Sequence, residues 1–193
     1  MTCFFHPRNF KSRNLRSECY AGPMTFEEAL HGSIAPPEVV KTQVLLDLRY
    51  LDFAGIVRVG QLIVHRDLEI EIRAIFEEIL NIGFPIFQMR PVVDFEWSDY
   101  SSMEANNCSA FNYRLKVGKT TLSAHATGRA IDINPRQNPY ISGEILLPAG
   151  ATYEEAAAGT LLADGPVVAA FESRGWTWGG RWESLKDFHH FEK

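Results

Sequence analysis

The run Ser123-Ala-His125-Ala-Thr-Gly128-Arg-Ala130-Ile-Asp132-Ile-Asn134, answered near the chain's end by Asp187-Phe-His-His190-Phe-Glu192, decides how this sequence is read. Two imidazoles and a carboxylate make a three-ligand zinc set, and a further carboxylate close to the last histidine can work on water at the same ion. Spacing adds a constraint. In a continuous helix His125 and Asp132 would lie two turns, roughly 10 Å, apart along the axis, too far for one ion whose ligands sit at about 2.0–2.2 Å. The segment must bend, and Gly128 is the place for it. A strand through Ala130–Asn134 then puts Asp132 on one face and packs Ile131 and Ile133 on the other.

Working outward, the segments around this site alternate between strand and helix signals. Thr25-Phe-Glu-Glu28 forms a capping box for a short helix ending near His31-Gly32, and Ala35-Pro36-Pro37 breaks the chain beyond it. Residues 1–40 are therefore set apart as an N-terminal extension of unassigned role, and residues 41–193 as the zinc-binding domain. Val44–Phe53 reads as a strand entering a turn at Ala54-Gly55, and Val57–Val64 pairs back on it. Asp67 is expected to cap a helix with Ile72, Ile75, Phe76, Ile79 and Leu80 at helical spacing, closed by Gly83. Pro85–Pro91 is a strand leading toward the site, and Pro135–Ala151 is expected to be loop. Thr152-Tyr-Glu-Glu155 offers a second capping box, Asp164-Gly-Pro166 opens a helix through Phe171 that stops at Gly175, and Trp176–Trp178 and Asp187–Phe191 supply the last strand pieces. The fold class expected is α+β, a small antiparallel sheet carrying the zinc site with helices packed to one side.

Bulk properties narrow the function classes. A chain of 193 residues with 46% hydrophobic and 12% aromatic content suits one sizeable core plus an appendage. A net charge of −5 argues against nucleic acid as a partner. The three cysteines Cys3, Cys19 and Cys108 contain no Cys-x-x-Cys pair, imply no disulfide framework and are not the metal ligands. No apolar run is long enough to span a membrane. The start, Met1-Thr-Cys-Phe-Phe-His-Pro-Arg8, lacks the basic and apolar regions of a signal peptide.

Around the three ligands the residue types suggest further roles. If Asp187–His190 forms a turn, the i,i+3 relation brings the Asp187 carboxylate beside His190, where it can serve as general base. In a regular strand Asp187 would instead share a face with His189, so spacing alone leaves both histidines open as the ligand. Ser123 lies two residues before His125 and projects to the same side in an extended segment. Trp176 and Trp178 read as core, and Gly179-Gly180 as a turn or a close backbone approach.

These motifs resemble the M15 family of zinc peptidases, whose signature is Ser-x-His-x-x-Gly-x-Ala-x-Asp followed by acid-x-x-His. Ser123, His125, Gly128, Ala130 and Asp132 match the first half, and Asp187 and His190 the second. The run Trp176-Thr-Trp178-Gly-Gly-Arg-Trp182 ahead of Asp187-Phe-His-His190-Phe, and the block Met103-Glu-Ala-Asn-Asn-Cys-Ser-Ala-Phe111-Asn-Tyr-Arg114, are similar to the branch of phage-type and bacterial L-alanyl-D-glutamate endopeptidases. The resemblance spans residues 41 to 193 and implies the Hedgehog/DD-peptidase-like fold, with Zn2+ on His125, Asp132 and His190 and Asp187 as base. It implies Arg90 as the cation that steadies the oxyanion, with Arg114 as its rival, and Ser123, Arg114 and His189 as substrate-binding residues. The implied substrate is the stem peptide of peptidoglycan, cut by a monomer acting on the cell wall, periplasmic or extracellular. A D-alanyl-D-alanine carboxypeptidase is the close alternative. A catalytically silent zinc-binding module of the Hedgehog type is the other, and the presence of Asp187 speaks against it.

Overall fold

Alternation along Gln43–Leu51 (β1) builds the first layer: Leu46, Leu48 and Tyr50 are buried while Asp47 and Arg49 face solvent. In this computed structural model, which describes residues 22–193, β1 pairs antiparallel with Val57–His65 (β2) in a register that sets Leu46 opposite Leu62 and Leu48 opposite Gly60. Gly60 is required there, because a Cβ at that position would come within 2.6 Å of the Met89 carbonyl. Residues 1–21, with Cys3, Cys19 and half of the expected N-terminal extension, lie outside the described residues.

The described part of that extension leans on the hairpin. Thr25 caps Phe26–Ala29 (α1) through a complete capping box with Glu28, and Pro37–Val40 (α2) begins at the second of the two prolines. Met24 N–H donates to Gln61 Oε1 at 2.8 Å, Gln61 Nε2 donates back to Met24 O at 3.1 Å, and Ala29 joins Ile63 and Phe111 in a small apolar cluster.

Glu69–Ile82 (α3) buries Ile72, Ile75, Phe76 and Ile79 against β1, and Gly83 ends it at φ 76°. Its start departs from the expected Asp67 cap. A 3-10 turn over Arg66–Leu68 runs directly into α3, and His65 Nδ1 accepts the Asp67 N–H at 3.3 Å, so Asp67 is inside the turn and cannot cap it. Gln88–Met89 (β3) pairs parallel with Asn107–Cys108 (β4), the two being joined through Asp99–Glu104 (α4).

Ala130–Asp132 (β5) belongs to the sheet that carries the site. Tyr140–Ser142 (β6) and Ile145–Leu147 (β7) form a hairpin inside the stretch expected to be loop. Its strands are short and their third partner, Lys186–Asp187 (β9), is remote in sequence, so local pattern carries no sign of them. Thr152-Tyr-Glu-Glu155 starts no helix. Tyr153 instead stacks on Phe188 at 3.7 Å and donates its hydroxyl to Leu161 O at 2.7 Å, which holds the segment in an irregular course.

Pro166–Glu172 (α5) packs beside α3, and Thr177–Trp178 (β8) comes after Gly175 at φ 81°. His190–Glu192 (β10) is the centre of the antiparallel sheet β5-β10-β8. Phe191 points from it into the core and stacks on Phe171 of α5 at 4.0 Å, with Trp178, Ile131 and Ile133 buried in the same cluster. The arrangement is α+β: small sheets, one of which bears the site, covered on the core side by α3 and α5. No helix among the described residues is long and apolar enough to cross a membrane.

Candidate metal centre

The bend expected at Gly128 is present and has a local cause. Ser123 caps a 3-10 turn over Ala124–Thr127, its Oγ accepting the His125 N–H at 3.3 Å, and Gly128 closes the turn at φ 68°. A Cβ there would also strike Gln43 Oε1 and come within 2.7 Å of the His65 nitrogen, so both the backbone angle and the space call for glycine. The chain then enters β5, where Ile131 and Ile133 go to the core and Asp132 goes to the opposite face.

Antiparallel register does the rest. Asp132 stands directly opposite His190. His190 Nδ1 lies 3.0 Å from Asp132 Oδ1, His125 Nε2 lies 3.1 Å from Asp132 Oδ2, and the two ring nitrogens are 3.2 Å apart. His125, Asp132 and His190 are all buried, with ligand atoms within 4.8 Å of one another, and this is the metal-competent group found among the described residues.

Each histidine is braced from behind. His125 Nδ1 donates to the Ala110 carbonyl, which fixes its proton on that nitrogen and leaves Nε2 as the free donor atom. His190 Nε2 bonds Glu192 Oε2 at 3.1 Å, leaving Nδ1 for the metal. Glu192 has no part in the sequence reading, yet period-two alternation from His190 along one strand face is a signal for it.

The electrostatics favour positive charge at this point. Burial pushes the His190 imidazole down, but the Asp132 and Glu192 carboxylates outweigh it and hold it up to about 10. Burial likewise opposes the charge on His189, which Asp187 and Asp132 lift to about 9. Burial alone would raise the Asp132 carboxyl; the facing histidines, His125 first, keep it well below the usual carboxylate range. Two imidazole nitrogens and a carboxylate converging on one buried point suit a divalent cation, and nitrogen and oxygen donors suit zinc.

Asp187 ends β9, and the turn over Phe188–His189 carries the chain into β10. The Phe188 N–H is taken by the Pro139 carbonyl at 3.2 Å, which bends the chain so that Asp187, His189 and His190 all reach one cavity. Gly179 packs against Asp187 so closely that a Cβ would fall 2.8 Å from the Asp187 Cβ. His189 is on the cavity wall but is not a solvent-facing side chain. It is 3% exposed, its Nδ1 donates to Asn138 O at 2.7 Å, and its Nε2 sits 3.0 Å from Asp187 Oδ1 in a bent contact.

The cavity has a volume of about 360 Å³ and is walled by Arg114, Lys116, Ser123, Trp182, Asp187 and His190 among others. Ser123, beyond capping the turn, contributes to this wall. Arg114 is there too, paired with Asp99 at 2.9 Å. Arg90 is not brought to the cavity: its guanidinium is tied to Asp94 at 2.6 Å, lies over the Phe95 ring and is half exposed. Lys116 and Lys119, absent from the sequence reading, add two cations to the same wall. Trp176 and Trp178 are core, at 3% and 1% exposed, whereas Trp182 faces the site with its ring 5.5 Å from that of His190.

Compared with known proteins, residues 117–193 match a model of the M15 peptidases described as D-alanyl-D-alanine carboxypeptidase. The matched span contains Ser123, His125, Asp132, Asp187 and His190. No curated protein and no solved structure gave a significant match.

Proposed function

From the match of residues 117–193 to the M15 peptidases, we propose that the protein is a zinc peptidase that hydrolyses stem peptides of peptidoglycan as an L-alanyl-D-glutamate endopeptidase. The observation that carries the reading is the convergence of His125, Asp132 and His190 at one buried point with Asp187 beside them. His125 Nε2, an Asp132 oxygen and His190 Nδ1 would hold the ion. Zinc with three protein ligands supplies Lewis acidity and brings the ionisation of water down to about pH 7.

The chain's own groups account for the remaining work. Asp187 takes a proton from the attacking water and returns it to the departing amine, a role its place on the cavity wall supports. Negative charge grows on the carbonyl oxygen during attack, and we assign the cation that meets it to Arg114, which borders the cavity, in preference to Arg90, which does not. Ser123 and Trp182 line the path of the peptide. The endopeptidase type rests on the likeness of the Trp176–Trp182 block to that branch. Activity of this kind places the working protein at the cell wall, as a monomer on a peptide substrate.

Mass spectrometry of defined muropeptides after incubation with zinc-loaded protein tests the proposal. Fragments cut between L-alanine and D-glutamate are expected. Release of terminal D-alanine would move the protein to the carboxypeptidase type, and intact muropeptides after prolonged incubation would overturn the reading.

A further inference from the structure

His189, 3% exposed on the cavity wall, lies between the Asn138 carbonyl and the Asp187 carboxylate. On one side is the Asn138 carbonyl, 2.7 Å from Nδ1. Asn138 is fully buried and cannot drift: its Nδ2 donates to Ile133 O at 3.1 Å and Gly159 O at 2.9 Å, and its Oδ1 accepts the Leu161 N–H at 2.7 Å. A carbonyl accepts only, so the bond to Asn138 fixes a proton on Nδ1 and with it the plane of the ring. On the other side, Nε2 faces Asp187 Oδ1 at 3.0 Å. The Gly179 backbone closes the space behind Asp187.

We propose that His189 is a positioning residue for Asp187: its imidazole, anchored through Nδ1 on the Asn138 carbonyl, presents Nε2–H to Oδ1 and sets the orientation of the carboxylate in the cavity. The inference rests on the reading of Asp187 as the general base. An aspartate is one methylene shorter than a glutamate, so its reach leaves little tolerance and a free rotation about χ2 would turn its oxygens away from the reacting atoms. A ring fixed through Nδ1, with Nε2 held 3.0 Å from Oδ1, restricts that rotation. The bent contact leaves Asp187 Oδ1 able to accept a proton from water as well.

Two isosteric substitutions separate this role from plain packing. Asn at 189 places an amide nitrogen near the Nδ1 position, keeping the bond to Asn138 while losing the reach to Asp187. Gln places its nitrogen near the Nε2 position and keeps the contact with Asp187. His189→Asn is expected to lower kcat by about 10–100-fold, the range for groups that orient a functional residue, with KM and zinc content unchanged. His189→Gln is expected to stay within about threefold of the wild type. In histidine-labelled protein, Asp187→Asn should shift the His189 Nε2 resonance and leave the His125 ring unchanged. The inference is overturned if the Asn variant equals or exceeds the Gln variant, if the loss appears in KM or in zinc content, or if both variants fail to fold, since the ring would then serve packing. An inactive wild-type protein would instead count against the proposed function, and an active wild type with an equally active Asp187→Asn variant would count against the base.

Discussion

His190 faces Asp132 directly across an antiparallel pair, Nδ1 to Oδ1 at 3.0 Å, so two of the three proposed metal ligands are positioned by sheet register itself. A slip of β10 by one residue would turn His190 to the core face and bring Phe191 out. Close to one zinc per chain is therefore expected in purified protein. His125→Ala, Asp132→Ala and His190→Ala should each abolish it, while His189→Ala should retain it. Elemental analysis checks this, and a site emptied by His189→Ala alone would reverse the ligand assignment.

Asp187→Ala should keep the metal and the fold and lose hydrolysis by about 10²–10⁴-fold, as expected for a positioned acid–base group. Steady-state rates on a defined muropeptide measure it. A loss of less than about tenfold would make Asp187 a bystander.

The two arginines make opposite forecasts. Arg114→Ala should cost about 3 kcal/mol in kcat, comparable to removal of an oxyanion-hole donor, and Arg114→Lys should recover only part of it. Arg90→Ala should be nearly silent, because its guanidinium is engaged with Asp94 away from the cavity. A folded, active Arg114→Ala beside a dead Arg90→Ala would return the role to Arg90.

Stability without metal should depend on pH in a defined direction. His190 and His189 are held up to about 10 and about 9, above the ordinary 6.5. Groups that bind protons more tightly when folded contribute stability that is complete below about pH 6.5 and is lost as the pH rises through 9 to 10. Asp132 works at the acid end: its lowered carboxyl contributes above the ordinary aspartate range and loses that contribution as the pH falls. Thermal melts of chelator-treated protein near pH 6, 8 and 10 should show a falling Tm. Zinc-loaded protein should show a flatter profile, because ligating imidazoles are neutral, and zinc uptake should release protons.

Phe191 joins the site to the core. It is fully buried, stacked on Phe171 at 4.0 Å and bonded in sequence to His190. Phe191→Ala should destabilise the fold by about 3–5 kcal/mol, read as a lower midpoint in urea unfolding.

How far the sequence discloses the structure depends on the range of the physics involved. Ile131 and Ile133 alternating with Asp132 disclose a strand, and Gly128 discloses a bend, because both are short-range patterns. The choice between His189 and His190 is not local: it depends on a turn held by the Pro139 carbonyl, a partner far back in the chain. The β6–β7 hairpin is hidden for the same reason, its outer partner being β9. Arg90 and Arg114 look alike as residues in a string, and only the packing of α4 and its Asp99 against Arg114 distinguishes them. Glu192 is within reach of sequence reasoning, two positions from His190 on one strand face.

Gly179 carries no functional group, yet its backbone is pressed against Asp187. In a genetic screen that scores turnover, alanine at this position should therefore sort with lesions of the base: protein level normal, metal retained, product absent. A side chain defined by what it lacks would then behave as an essential locus, and suppressors of such an allele would be expected in the Lys186–Phe188 segment, where small backbone shifts could give the carboxylate its place back.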